Sequence, residues 1–206
     1  FFLLILLLFL TSLLSLKSLK KVNIQNIEIL GSELVTKKDI LDNSSLNIPT
    51  RLILIKTKYL EKELKNNLSL KNVSVSRQIF PFGLQVIIKN RIPIAYGERI
   101  LNGEKISGFI DDEGFFIDKK YAKNTNLGSL TIQVFGWKEK FRRTLSKILT
   151  SQQNDDLELV KIIFSPNGFL TLEEKDLKTI LLGFNTNSID SQLQLIVNLK
   201  SQLKKN

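Results

Sequence analysis

Residues 1–16 hold thirteen Phe, Leu or Ile and otherwise only Thr11, Ser12 and Ser15. As a helix rising about 1.5 Å per residue they would cover about 24 Å, short of the roughly 30 Å hydrocarbon core of a bilayer. The expectation is a transmembrane helix truncated at its N-terminal end and completed by residues before Phe1. A secretory signal core or a buried helix would give the same run. The former needs a small-x-small cleavage site, and Lys17, Ser18, Leu19, Lys20 and Lys21 stand there instead. By the positive-inside rule those lysines would hold the rest of the chain in the cytoplasm, unless a more basic leader or a large domain overrides them. The charge pattern alone leaves the side of the membrane open.

Beyond Lys21 the periodicity changes. Val22, Ile24, Ile27 and Ile29 mix two-residue steps with one three-residue step, predicting a strand with a bulge or bend that ends at Gly31. Thr36 and Asp39 stand at capping-box spacing and open a short helix to about Asn43. Residues 44–49 read as a loop. Leu60, Leu64 and Leu68 recur every fourth residue among Lys and Glu, an amphipathic helix with Thr57 as its expected N-cap and its end near Asn66 and Asn67. Val73, Val75 and Arg77, then Leu84, Val86 and Ile88, alternate on either side of Phe80-Pro81-Phe82-Gly83 and predict a hairpin. The order is strand, helix, helix, strand, strand, an α+β unit with two helices over one face of a small sheet.

Pro93 opens a second, mostly antiparallel unit. Strands are predicted at 94–101 and 106–111 around Asn102-Gly103, at 115–118 after Asp112-Glu113-Gly114, at 131–135, and at 159–164 and 169–172 around Pro166-Asn167-Gly168. A last strand over 177–182 closes at Gly183. Helices are predicted at 138–151, with Phe141, Leu145, Ile148 and Leu149 on one side, and at 188–205, with Leu193, Ile196, Val197, Leu199 and Leu203.

The composition then narrows the chemistry. The chain has no Cys and no His, which removes disulfides, thiolate metal sites, thiol nucleophiles and the commonest general base. Met is absent too, even at position 1, so residues are expected to be missing before Phe1. Net charge is +10, and residues 1–100 carry 15 of the 30 basic but only seven of the 20 acidic residues. That excess suits nucleic acid, an anionic membrane or an acidic protein without choosing among them.

Asp111, Asp112 and Glu113 could seat a metal or supply paired carboxylates, but Asp-x-x-Gly is ordinary turn chemistry, with Asp bonding its own backbone. A Ser activated by a Lys is the hydrolase arrangement that survives the loss of His, yet no Ser sits at a glycine-flanked strand-to-helix elbow. The ten glycines are scattered singly, so no phosphate cradle forms. Phe80, Phe82 and Trp137 could stack on bases, though Lys71, Arg77, Lys89 and Arg91 read more simply as a solvated face. What remains is strand edges without a reactive group, and such edges recognise partners by main-chain strand addition.

Val22, Ile24, Ile27, Ile29, Gly31-Ser32, Leu60, Leu64 and the run Val73, Val75, Arg77, Phe80-Pro81, Leu84, Val86, Ile88, Arg91, Pro93, Ala95 resemble the POTRA domain of the FtsQ/DivIB family of bacterial cell-division proteins. Ile110-Asp111 to Gly114-Phe115 and the segment from Leu130 to Gly136 resemble that family's following β domain, more loosely. The resemblance implies a transmembrane helix at 1–16, a POTRA domain of βααββ order at 20–92 and a β domain at 93–206. It implies a non-enzymatic scaffold of the divisome in septum formation, single-pass in the inner (plasma) membrane, with its C-terminal part periplasmic and concentrated at the septum. FtsB- and FtsL-like coiled-coil proteins and septal recruitment proteins are the implied partners, with no catalytic residue, cofactor, metal, nucleic acid or small-molecule substrate. Two departures stand out: Asn90 replaces the family's Glu before Arg91, and the family's final, partner-binding strand would follow the last helix, so with the sequence ending at Asn206 the expectation is either that this strand was cut off or that this member lacks it. The expected partner-binding residues are Arg77, Phe80, Pro81, Arg91, Leu177, Ile180, Leu181 and Gly183. Alternatives are a POTRA-bearing assembly or secretion factor, which needs a barrel downstream, and a membrane-anchored Ser/Lys peptidase.

Overall fold

The apolar run folds as helix α1 (Phe2–Ser18), whose side chains from Phe2 to Leu10 are all more than half exposed. A 17-residue helix rises about 26 Å. Among the described residues no helix is long and apolar enough to cross a membrane, so the transmembrane span expected at 1–16 is realised only as this shorter helix. The computed structural model describes residues 2–18, 20–122, 127–154, 157–184 and 188–203. It divides into two units, Phe1–Asn90 and Arg91–Asn206.

The predicted first strand is split in two. β1 (Lys21–Val22) is followed by a single 3-10 turn (Ile24–Asn26) and then β2 (Ile27–Leu30), so the three-residue step in the pattern is a helical turn rather than a bulge. Asn23 and Asn26 hold that turn, Asn26 Oδ1 accepting from the Asn23 amide at 3.0 Å. α2 (Lys37–Asp42) opens on the expected capping box: the Asp39 amide donates to Thr36 Oγ1 at 3.1 Å and the Thr36 amide to Asp39 Oδ2 at 2.9 Å. The stretch expected as loop runs on into β3 (Thr50–Arg51), which pairs with β1, Lys21 opposite Arg51 and Val22 opposite Thr50. α3 (Thr57–Asn67) has Lys56 at its N-cap with no side-chain cap, not Thr57. β4 (Asn72–Gln78) and β5 (Gly83–Lys89) form the predicted hairpin, Val75 facing Val86, and β2 joins β5 in parallel. Ile27, Ile40, Leu60, Leu64, Val75 and Val86 meet in the core beneath the helices. The βααββ order stands, with the small β1/β3 ladder added.

The second unit is one seven-stranded sheet, β12-β11-β10-β9-β6-β7-β8. Its strands are β6 (Ala95–Leu101), β7 (Glu104–Ile110), β8 (Phe116–Asp118), β9 (Gln133–Trp137), β10 (Leu159–Phe164), β11 (Leu170–Glu174) and β12 (Lys178–Gly183). The sheet is antiparallel except around β9, which pairs in parallel with both β6 and β10. β9 begins two residues later than predicted, and a 3-10 turn (Glu139–Phe141) precedes α4 (Arg142–Asn154). α4 and α5 (Ile189–Leu203) flank the sheet, and part of the tail predicted to continue α5 lies outside the described residues. Leu145, Ile148, Leu149, Ile162, Leu172 and Leu193 fill the core between them.

Gly136 shows how tightly β9 meets β10. It sits at φ 69°, and a Cβ there would lie 2.0 Å from the Phe164 carbonyl oxygen. A side chain meets both a left-handed backbone and an immovable main-chain atom, so Gly136→Ala is expected to cost about 2–3 kcal/mol of stability, read as a lowered urea midpoint at unchanged slope.

Candidate functional site

Among the described residues the sheet of the second unit ends on β12, which pairs with β11 alone. Its interior, Thr179-Ile180-Leu181-Leu182, contains no charge and no proline, the devices with which proteins normally blunt a free edge. Leu181 is 68% and Phe184 63% exposed, Phe184 standing edge-on to Phe169 at 5.1 Å. Ile180 is half-buried, and Gly183, at φ 81°, ends the strand. Leu177 lies one residue before β12, in the β11–β12 turn, where its amide donates to Glu174 Oε2 at 2.8 Å. Ile180, Leu181 and Gly183 thus lie on one edge strand, and Leu177 in the turn that leads into it.

A buried ion pair fixes this strand's geometry. Glu174 ends β11, and its carboxylate accepts the amides of Glu158, Asp176 and Leu177 and the Lys200 ammonium at 2.6 Å. Lys200 is buried on α5 and also meets Asp176 at 3.4 Å. Burial would raise the Glu174 pKa, but Lys200 and the three amides outweigh it and hold the carboxyl at about 2. For Lys200, burial pulls the ammonium down while Glu174 and Asp176 together push it above the usual lysine range. The hairpin that presents β12 is therefore pinned to α5.

The sequence reading missed a second part of this surface. Leu195, Leu199 and Leu203 are exposed on α5 at four-residue spacing, on the same side as Gln192, whose Nε2 donates to the Leu182 carbonyl of β12 at 3.1 Å. The apolar pattern of the sequence names Leu199 and Leu203 together with Leu193 and Ile196 without separating buried from exposed. The buried stripe is Ile189, Leu193, Ile196 and Lys200, and it ends on a charge that the pattern of apolar residues cannot reveal.

The other four expected residues disperse. Arg77 donates from Nε and Nη2 to the Ile55 carbonyl, at 3.2 and 2.6 Å, within the first unit. Phe80 and Pro81 are exposed at the tip of the β4–β5 hairpin, Phe80 at 73%. Arg91 is a correction: only 3% exposed, it binds Asp111 and Glu113 and lies 3.6 Å over the Phe115 ring. A guanidinium so enclosed offers nothing to a partner. Asp111, fully buried, also accepts the amides of Glu113 and Phe115 at 3.1 and 2.8 Å, which realises the turn reading of the acidic cluster. Burial raises its pKa against the pull of Arg91 and the Phe115 amide. Among the described residues no group of three or more His, Cys, Asp or Glu could hold a metal ion. Trp137 is buried, donating to the Gly114 carbonyl at 2.9 Å, and so gives no stacking platform.

Residues 22–91 match the family model of the POTRA domain, FtsQ-type. The match spans the βααββ elements and supports the resemblance to the FtsQ/DivIB family there; it stops before β6. No curated protein matches the chain.

Proposed function

We propose, from the FtsQ-type POTRA domain at residues 22–91, that this chain is a non-enzymatic scaffold of bacterial cell division, held in the membrane by α1 and binding other division proteins on its far side. The observation that carries the binding role is the apolar open edge of β12, beside the exposed leucines of α5. An extended segment can add there as an eighth strand, its main chain hydrogen-bonding to β12 and its side chains resting on Leu181 and Phe184. An apolar helical segment fits the stripe of Leu195, Leu199 and Leu203. FtsB- and FtsL-like partners, as small coiled-coil proteins, would offer such a helix. Phe80 and Pro81, at the tip of the POTRA hairpin, are the proposed contact for septal recruitment. The exposed apolar side chains of α1 from Phe2 to Leu10 favour the membrane reading, since so large an apolar surface is at home in lipid.

A fluorescent fusion of the full chain in its native host tests the scaffold. The expected result is a midcell band, with filamentous cells and loss of later septal proteins when the chain is depleted. Deletion of residues 22–91 is expected to remove the band. Normal recruitment of septal proteins in depleted cells would overturn the proposal.

A further inference from the structure

In the first unit, four consecutive residues alternate in an unusual way. Leu52 and Ile55 are buried, at 3% and 5% exposure, while Ile53 and Leu54 between them are 56% and 66% exposed. The two buried side chains and two hydrogen bonds hold the exposed pair out: the Ile55 amide donates to the Leu52 carbonyl at 3.3 Å, and Arg77 clamps the Ile55 carbonyl. Tyr59, 55% exposed on the first turn of α3, stands beside them at the rim of a groove of about 390 Å³ that Leu54 and Ile55 also line. Three large apolar or amphipathic side chains thus project from one rigid corner.

Two further observations say what covers it. The corner is basic: residues 43–60 contain Arg51, Lys56 and Lys58 and no acid. Two carboxylates border it, each already bonded. Glu63 is bonded to Tyr59 itself and accepts the amide and hydroxyl of Ser45, a residue of the groove, and Glu61 accepts the Val75 amide as well as Lys58. Among the described residues this leaves Arg51 and Lys56 as its cations without an acidic partner. The corner is also tethered to α1. Lys21 lies three residues past the end of α1 and so, at full extension, within about 11 Å of it. The β1/β3 ladder sets Arg51 directly opposite Lys21, and Ile53 and Leu54 follow at once. Apolar residues with an aromatic ring and a collar of lysine and arginine, at the mouth of a membrane helix, match the interfacial zone of a bilayer rather than a protein groove.

We propose that residues 51–59 dock the first unit onto the surface of an anionic bilayer, Ile53, Leu54 and Tyr59 entering the interface while Lys21, Arg51 and Lys56 meet lipid phosphates. The proposal rests on the reading of α1 as the membrane anchor. It gives the lysines after α1, which oppose translocation in the charge pattern, a use at the surface they would end up facing.

The chain has no cysteine, so single-cysteine variants carry one fluorophore each. The full chain is reconstituted into phosphatidylcholine vesicles containing about one third phosphatidylglycerol, the anionic fraction that draws a basic patch, with or without nitroxide-bearing lipid. Labels go at Leu8→Cys, at Leu54→Cys, and at Ser74→Cys on the exposed face of the POTRA sheet. The expected result is strong quenching of Leu8, quenching of Leu54 severalfold above that of Ser74, and loss of the Leu54 signal in pure phosphatidylcholine or in the Arg51→Glu/Lys56→Glu background. Quenching of Leu8 with Leu54 no different from Ser74 would overturn the docking and leave the anchor standing. Unquenched Leu8 would overturn the anchor and the docking with it. Leu54 quenching indifferent to lipid charge and to both substitutions would overturn the anionic assignment.

Discussion

Lys200→Met is expected to destabilise the second unit by about 3–5 kcal/mol near neutral pH, the range for removing one partner of a buried ion pair. The Glu174 carboxylate would remain ionised and buried, with three backbone amides but no cation against it. Methionine nearly matches the volume of the lysine stem, so the loss is electrostatic rather than a cavity. The pH dependence separates the two. In the parent chain Glu174 titrates near 2, below its ordinary 4.5, so it contributes stability that is complete above about pH 4.5 and drains away as pH falls through about 2. Without Lys200 the carboxyl pKa rises, and protonation relieves the orphaned charge. The gap between variant and parent should therefore be widest near neutrality and narrow steadily as the pH falls below about 4.5. Urea unfolding at a series of pH values measures it, and a gap constant with pH would assign the loss to packing.

That pair also marks where the sequence stops being legible. Elements with a strong local signature are readable: the capping box at Thr36, the hairpin around Phe80-Pro81-Phe82-Gly83 and the Asn102-Gly103 turn, whose residues take φ 53° and 86° as such a turn demands. What fails needs a partner distant in the chain. β3 is two residues long and exists because Lys21 and Val22 lie beside it; nothing in Thr50-Arg51 announces a strand. Lys200 reads as a solvated residue until Glu174, 26 positions earlier, turns out to end β11 beneath it. The apolar pattern of α5 therefore cannot tell the buried Leu193 and Ile196 from the exposed Leu199 and Leu203. Arg91 fails for the same reason, since its cage of Asp111, Glu113 and Phe115 is assembled by the β7–β8 turn. The β12 edge fares better: an uncharged strand that closes at a glycine is visible in one dimension, although its position at the end of the sheet is not.

Leu181→Lys is expected to weaken binding of an FtsB- or FtsL-like partner at least a hundredfold while leaving the fold intact. Leu181 is the most exposed apolar residue of β12, so lysine there costs the free chain almost nothing and costs the complex a charge buried under the added strand. The side chain opposite it on β11 is Thr171, which offers no counter-charge. Proline tests the main-chain half of the mechanism. Successive amides of a strand point alternately to its two sides, so of Ile180→Pro and Leu181→Pro one removes a donor from the β11–β12 ladder and the other a donor from the open edge. The edge-facing substitution should abolish binding with a small effect on stability, and the ladder-facing one should unfold the hairpin. Leu199→Lys on α5 is expected to cost less, about tenfold, because it removes a rim contact and leaves the strand addition in place. Isothermal titration of the full chain in detergent micelles against the purified partner, with circular dichroism on every variant, ranks the three effects. Equal binding by both proline variants and by Leu181→Lys would move the partner off β12 altogether, to the three-residue edge strand β8 or to the POTRA hairpin tip at Phe80, where Phe80→Ala is the next substitution to make.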